Sequence, residues 1–391
     1  MKSPAIPLLA CAALVATSVG LSVPAAASSH DGQSISPGTP TDIAEGLLSP
    51  LSLEVGRQGV VYVSQNFPGL LTQVNPDGSK FDIVSAPGDE IGAVSYRRGV
   101  VYYAQNSQDL SSTLLKARNA DGSTKTLADL GSYEASNNPD KVNTYGFVGL
   151  PADCAAQIGD AAASRAEYTG LVDSHPYATF PNGSGVYVAD AGANAILRVR
   201  YDGSISTVAV LPPTAPVVVT AEQAAEAGFP ACTVGYGYRF EPVPTDVEWG
   251  SDGRLYVTSL PGGPEDPSLG ARGSVYRVNP RSGKVELVAT GFAGATGLAV
   301  SRTDGTIFVA ELFGVDKNGK NTGRVSVVEP GESTPQPFAD LSSPAAIELR
   351  HNKLYVTTNS FVPGENGAPL PIGKVTVVPL ESDHEEDSMG G

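Results

Sequence analysis

GVVYVSQN at residues 59–66 returns as GVVYYAQN at residues 99–106. Altered copies follow at four more places: GVYVAD (185–190), GRLYVTSL (253–260), GTIFVAEL (305–312) and NKLYVTTN (352–359). Each copy is entered through a turn and alternates β-branched or aromatic residues with small or polar ones, which is typical of a β-strand. The sequence therefore predicts six related β units.

Further strands lie on both sides of each copy. Upstream is a short apolar segment, clearest in PLSLEVG (50–56) and PTDVEWG (244–250). Downstream, two more strands flank a turn, as in LLTQVNPDGSKFDIV (70–84), where Asp-Gly supplies the positive φ that a tight hairpin requires. Four antiparallel strands in each of six units predict an all-β fold, a six-bladed β-propeller.

The two ends of the repeat region predict how the ring closes. The sixth unit has only three strands of its own, and TDIAEG (41–46) resembles FDIVSA (81–86). We therefore expect this N-terminal strand to complete the last blade. Separate β-domains are the alternative, but units this short could not each hold a core. We expect a propeller over residues 41–380, a flexible segment at 28–40 and a disordered acidic tail at 381–391.

The first residues resemble an export signal. Lys2 precedes an apolar run at 8–19, and VPAAA (23–27) is an A-x-A type cleavage site. We predict a secretory signal peptide at 1–27 and a secreted protein that does not insert into a membrane. Of the three cysteines, Cys154 and Cys232 then remain, and such a pair in an exported chain predicts one disulfide, with buried free thiols as the alternative.

Charge excludes one class of partner. The chain has 41 Asp and Glu against 25 Lys and Arg, a formal net charge of −16. Nucleic-acid binding needs a basic patch, and none is visible, so we expect no nucleic-acid partner. The acidity is compatible with cation binding or with simple solubility. We expect a monomer.

Loop lengths predict which face of the propeller is functional. In a four-stranded meander, the turns between strands one and two and between strands three and four share one face, and here they are short. The opposite face, which we call the long-loop face, receives the insertions and long loops at Gly131–Asp173, Leu211–Val243, Pro261–Arg272, Gly314–Thr322 and Phe361–Ile372. Long loops gathered on one face commonly carry function. We expect this face to bind a small molecule or a protein.

The first strands of the units should begin at the mouth of the central channel. Four ionisable residues fall there: Glu90, Asp173, His175 and Asp246. Carboxylate oxygens are the ligands that calcium prefers, so Glu90 and Asp246 are candidate metal ligands, whereas His175 would favour a transition metal. The alternatives are that these groups bind loop backbone at strand ends, or that they act directly in acid–base catalysis.

Complete catalytic motifs are missing from the sequence. It contains no G-x-S-x-G elbow, no Walker loop and no dinucleotide-binding fingerprint. Whether the protein is an enzyme stays open. The first interpretation is a binding or accessory protein that uses the long-loop face; the alternative is a metal-assisted hydrolase or lactonase at the channel mouth.

Several stretches resemble a known family. They include SPLSLEVG (49–56), LPADCAAQ (150–157), ACTVGYGYRFEPVPTDVEWG (231–250) and SLPGGPEDPSLGARGSVYRV (259–278). Over about residues 43–380 the chain resembles the exported ScyD/ScyE family of NHL-like propellers, a resemblance that implies secretion but no reaction. The blades are more broadly similar to gluconolactonase-like propellers, which bind a metal at the channel mouth. Glu90 and Asp246 would be the corresponding carboxylates, although the asparagine-rich ligand set of those enzymes is not visible.

Overall fold

The structure is a computed structural model that describes residues 35–109, 111–159, 165–264, 267–313, 322–365 and 367–382. The predicted signal peptide, most of the acidic tail and most of the loop at 314–322 lie outside these residues. Within them the chain forms seven antiparallel sheets.

Six of the sheets are meanders of consecutive strands, numbered here in chain order. Sheet 1 contains Leu53–Val55, Val61–Gln65, Leu70–Val74 and Lys80–Ser85; sheet 2 contains Asp89–Arg97, Val100–Ser107, Thr113–Arg118 and Thr124–Asp129; sheet 3 contains Pro176–Asn182, Gly185–Asp190, Ala195–Val199 and Ile205–Val210. Sheet 4 contains Pro244–Trp249, Leu255–Ser259, Gly273–Val278 and Val285–Phe292; sheet 5 contains Ala295–Val300, Ile307–Glu311, Arg324–Val328 and Gln336–Ala339; sheet 6 contains Ile347–Arg350, Lys353–Thr358 and Gly373–Ser382. The repeated phrase forms the second strand of each of these six sheets, and its alternating pattern predicted a strand there.

The N-terminal strand pairs with the last strand of the chain. Thr41–Leu47 lies antiparallel to Gly373–Ser382, and Lys374 Nζ reaches Asp42 Oδ2 at 2.7 Å across the pair. The predicted pairing of residues 41–46 with the sixth unit is therefore present.

The predicted limits of the propeller need a correction. Ile35–Pro37, in the segment expected to be flexible, pairs with Leu380–Ser382 at the far end of the last strand. That strand has ten residues, more than Thr41–Leu47 can cover, so its free end takes a second partner. Strand structure thus begins before residue 41 and continues past residue 380.

The six meander sheets contact one another in a closed cycle. The first strand of each sheet contacts the first strand of the next, and that of sheet 6 contacts that of sheet 1. Buried apolar clusters lie between neighbouring sheets. Between sheets 6 and 1, Ala44 and Leu47 of the N-terminal strand pack with Leu53 and Val61. The N-terminal strand therefore contributes apolar burial as well as backbone hydrogen bonds to the closing contact.

The seventh sheet was not predicted, because the two insertions were expected to be loops. Its strands, in spatial order, are Glu167–Thr169, Thr144–Phe147, Gly237–Arg239 and Val217–Val218, and we call it the insertion sheet. The insertions also contain the helices Leu130–Asn137, Ala152–Ala155 and Ala221–Glu226 and the 3₁₀ turns Pro139–Val142 and Ala231–Thr233; two further 3₁₀ turns are Arg57–Gly59 and Pro267–Leu269. No helix in the described part of the chain is long and apolar enough to span a bilayer.

An aromatic core and a disulfide hold the two insertions together. Phe147 packs edge-on against Phe229 and Tyr238, with ring centroids 5.0 and 4.9 Å apart. Cys154 and Cys232 form a disulfide with a Cα–Cα distance of 5.9 Å, which confirms the predicted bridge. The long-loop face thus carries a folded subdomain between sheets 2, 3 and 4.

Candidate functional site

Two of the four predicted mouth residues form an ion pair. Glu90 lies in the first strand of sheet 2, and His175 directly precedes the first strand of sheet 3. Because these strands are neighbours, His175 Nε2 comes within 2.7 Å of Glu90 Oε2. The His175 and Glu90 side chains are 26% and 18% exposed, so the pair is mostly buried but stays open to solvent.

Two asparagines flank Glu90. Asn66 and Asn106 are the last residues of the first two copies of the repeated phrase. Asn66 Nδ2 donates to Glu90 Oε1 at 2.9 Å, and its own Oδ1 accepts from Ser64 Oγ at 2.5 Å. The Asn106 side chain also faces Glu90, but among the described residues neither its nitrogen nor its oxygen has a partner in full hydrogen-bond geometry.

These asparagines are functional candidates that our sequence analysis missed. We found no asparagine-rich set in the sequence, yet the side-chain amides of Asn66 and Asn106 both face the Glu90 carboxylate. The sequence did contain a hint, because GVVYVSQN and GVVYYAQN both end in asparagine and an acidic residue begins the next unit.

The surroundings favour the charged forms of both partners. Burial opposes the charge on Glu90, but the hydrogen bond and charge of His175 and the two amides lower its pKa below the usual value. Burial likewise opposes the imidazolium, but Glu90 and, less strongly, Asp173 and Asp190 raise the pKa of His175. The pair therefore stabilises the carboxylate of Glu90 and shifts His175 towards its imidazolium form.

The loop that carries His175 is fixed by a buried aspartate. Asp190 accepts from the His175 backbone N–H and from Ser174 Oγ, both at 2.7 Å. The His175 ring packs edge-on against Tyr177, with centroids 5.0 Å apart. These contacts set the direction of the imidazole before any ligand arrives.

Asp173, the third predicted residue, lies half-buried behind the pair. Its carboxyl carbon would be 2.9 Å from a Cβ at Gly192, so glycine is required there for close approach. Asp173 also acts on Glu134, a buried residue that the sequence did not single out. Burial and the charges of Asp190, Asp140 and Asp173 raise the pKa of Glu134 to about 8.

Asp246, the fourth predicted residue, lies apart from this pair. Its two carboxylate oxygens accept the backbone N–H groups of Val247 and Leu298, both at 2.7 Å. It lines a narrow waist of the channel, of about 20 Å³, and burial raises its pKa to about 7. Among the described residues, no group of three His, Cys, Asp or Glu side chains is arranged to hold a metal ion. A calcium site made from Glu90 and Asp246 stays a prediction.

The opposite end of the channel holds a larger cavity. It has a volume of about 850 Å³ and opens on the face of the short turns, which we call the short-turn mouth. Glu54, Glu248 and Glu348 line it, as do Trp249 and His351. Trp249 stacks on Phe180 with ring centroids 6.3 Å apart and also forms part of the cavity wall.

Comparison with known proteins supports the fold. No protein-family profile and no curated protein sequence matches the chain. A solved structure of a PQQ-bound aldose sugar dehydrogenase from Streptomyces coelicolor aligns with a TM-score of 0.53 at 15% identity, covering 90% of this chain and 99% of that one. A gluconolactonase from Xanthomonas campestris aligns with a TM-score of 0.52 at 12% identity, covering 88% and 89%. At such identities the likeness shows a β-propeller fold and nothing about activity.

Proposed function

We propose that the chain is a six-bladed propeller over residues 41–380, extended at its last blade by the pairing of residues 35–37 with 380–382, and that it binds a small polar molecule at the channel mouth of its long-loop face. Sheets 1 to 6 would be the blades, and the insertion sheet would stand outside the ring. The cyclic contacts of the first strands and the apolar clusters between successive sheets support this blade count.

The Glu90–His175 ion pair carries the binding proposal. Two oppositely charged groups from neighbouring sheets lie 2.7 Å apart and are partly exposed. Asn66 fixes the carboxylate and Asp190 fixes the histidine backbone. A ligand with hydroxyl or carbonyl groups meets donors and acceptors whose positions are already set, which lowers the entropic cost of binding.

The family resemblance fits an exported accessory protein. The LPADCAAQ and ACTVGYGYRF stretches contain the two cysteines that pair in the structure. A disulfide is compatible with an oxidising compartment. We therefore infer a secreted ScyD/ScyE-like protein whose insertion subdomain forms one wall of the binding mouth.

A metal-assisted lactonase is the second candidate. The Glu90 carboxylate and the Asn106 side-chain oxygen are of the kind that hard cations bind, the Asn66 amide would have to turn to add its own oxygen, and a gluconolactonase shares the fold. In this reading the metal ligands would be Glu90 and the asparagines, with His175 beside them, because Asp246 uses both oxygens on backbone N–H groups.

Substitution of His175 tests the binding proposal. The protein is purified from cells that can supply its natural ligand. The small molecules that denaturation releases are then quantified by mass spectrometry. Loss of a charge-assisted hydrogen bond should reduce the retained ligand by about tenfold or more in His175→Gln. His351→Gln, which alters a histidine at the opposite mouth, is the matched control and should retain it.

Equal retention by both variants would contradict a site at this mouth. The same preparations, assayed on lactones and esters with and without chelator, separate the two candidates. Turnover that the chelator abolishes would replace the binding function with the lactonase.

A further inference from the structure

The short-turn mouth is a second concave site that the proposed function does not use. Its cavity of about 850 Å³ lies within the range of small-molecule sites, roughly 300–1,000 Å³. The waist, a pocket of about 20 Å³ around Thr179, Thr245 and Asp246, adjoins this cavity and shares Glu248 and Glu348 with it. Neither Glu90 nor His175 lines the cavity or the waist.

Three glutamates occupy equivalent positions in the wall of this cavity. Each is the fifth residue of an aligned first-strand segment: PLSLE (50–54), PTDVE (244–248) and PAAIE (344–348). The repeat therefore places Glu54, Glu248 and Glu348 at one level of the channel, and all three line the cavity. Our sequence analysis compared PLSLEVG (50–56) with PTDVEWG (244–250) but did not single out the glutamate that they share.

The three carboxyl groups repel one another. Burial raises the pKa of Glu54 to about 7, although the backbone N–H groups of Tyr96 and Val55 lower it in part. Burial, followed by neighbouring carboxylates, raises the pKa values of Glu248 and Glu348. Among the described residues, none of the three forms an ion pair within 4.0 Å. A cation that enters the mouth would relieve this repulsion.

The cavity suits an organic cation better than a metal ion. The described His, Cys, Asp and Glu side chains nowhere converge in threes as metal ligands, and the volume far exceeds that of an ion. Aromatic rings of Tyr96, Phe180 and Trp249 also line the cavity, and aromatic faces attract ammonium and guanidinium groups. The wall already shows this chemistry, because the Arg302 guanidinium lies 6.0 Å from the Phe180 ring centroid.

We propose that the short-turn mouth binds an organic polyamine, with its ammonium groups on Glu54, Glu248 and Glu348 and its methylene chain against the aromatic wall. Several carboxylates distributed around one channel match several ammonium groups on one flexible chain. Arg97, Arg302 and Arg350 also line the cavity. The charges of Arg302 and Arg350 lower the pKa values of the three glutamates in part, which favours their ionised forms.

Calorimetric titration with spermidine tests the proposal. At an ionic strength of about 0.15 M, which screens distant charges, wild type should bind spermidine, and Glu248→Gln/Glu348→Gln should bind it about tenfold or more weakly. Glu222→Gln/Glu226→Gln removes two charges from an exposed helix of the insertions and should change affinity less than about twofold.

Three outcomes would overturn it. They are no spermidine binding by wild type, equal losses in both double variants, and stronger binding of a neutral polyol such as sorbitol than of spermidine. The Gln substitutions remove repulsion, so the variant should stay folded, and an unchanged or raised Tm verifies this. The result is independent of the Glu90–His175 site, since the two share no residue.

Discussion

Glu134 is a buried carboxyl group whose surroundings in the described part of the chain strongly disfavour its ionised form. It is 1% exposed, and neither carboxyl oxygen has a partner in full hydrogen-bond geometry among the described residues. The Asp173 backbone N–H lowers its pKa only in part, against burial and three neighbouring carboxylates, so the pKa rises to about 8 from 4.5. The folded protein therefore holds a proton on Glu134 that the unfolded chain has lost at neutral pH.

Stability should consequently fall as the pH rises from about 4.5 to about 8, the window between the two pKa values of Glu134. Glu134→Gln keeps the shape, adds an N–H donor beside Asp173 and Asp190, and removes this titration. We expect the variant to be more stable than wild type by a margin that grows between pH 5 and pH 8, on the order of 2 kcal/mol at the upper end. Urea unfolding at several pH values measures it.

Glu226→Gln, at an exposed helix position, is the control, and its free energy of unfolding should change with pH as that of wild type does. If Glu134→Gln also follows wild type, then the carboxylate is ionised and paired in the folded protein, and the charge imbalance assigned to this region is wrong.

Sequence could locate part of the candidate site. Glu90 and His175 were predicted from their place at the start of first strands, which depends only on the repeat. Asn66 and Asn106 end two copies of the repeated phrase. Recognising them as site residues required knowing that second strands end close to where first strands begin. Glu134 could not be found, because charged helix residues are normally exposed and only tertiary contacts bury this one.

Among the elements, the insertion sheet is the one that the sequence repeat could not predict. Its strands have two to four residues, and Thr144–Phe147 pairs with Gly237–Arg239 from the other insertion. Such short strands, joined over a long separation, have no periodicity or turn signal. The cysteines were the exception, since their pairing followed from their number.

The disulfide should order the insertions more than the ring. It closes a separation of 78 residues, for which the chain-entropy model gives about 4 to 5 kcal/mol. In Cys154→Ser we expect faster protease cleavage between residues 131 and 243, with the strand signal in circular dichroism largely retained. Cys154→Ser/Cys232→Ser is the control, because it excludes effects of an unpaired thiol.

If both variants lost the whole strand signal in circular dichroism, the disulfide would be stabilising the ring as well as the insertions. The insertion subdomain would then belong to the core of the propeller and would not simply pack on its long-loop face.

At the scale of the molecule, the two mouths exist only because the ring is closed. Thr41–Leu47 supplies the outer partner of Gly373–Ser382 and packs Ala44 and Leu47 against sheet 1. Without that strand, the last sheet would expose an unpaired edge and an apolar face. The repeat predicted this pairing, whereas the additional strand at Ile35–Pro37 depended on the length of the last strand.

The central claim is that six sheets close into one ring around a channel with two chemically distinct mouths. A crystal structure of the protein measures this most directly. We expect six blades, residues 41–47 on the last blade, the Glu90–His175 pair at one mouth and Glu54, Glu248 and Glu348 together at the other, separated by the waist at Asp246. A seventh blade in the ring, a gap between the last and first blades, or glutamates that point away from the channel would contradict it.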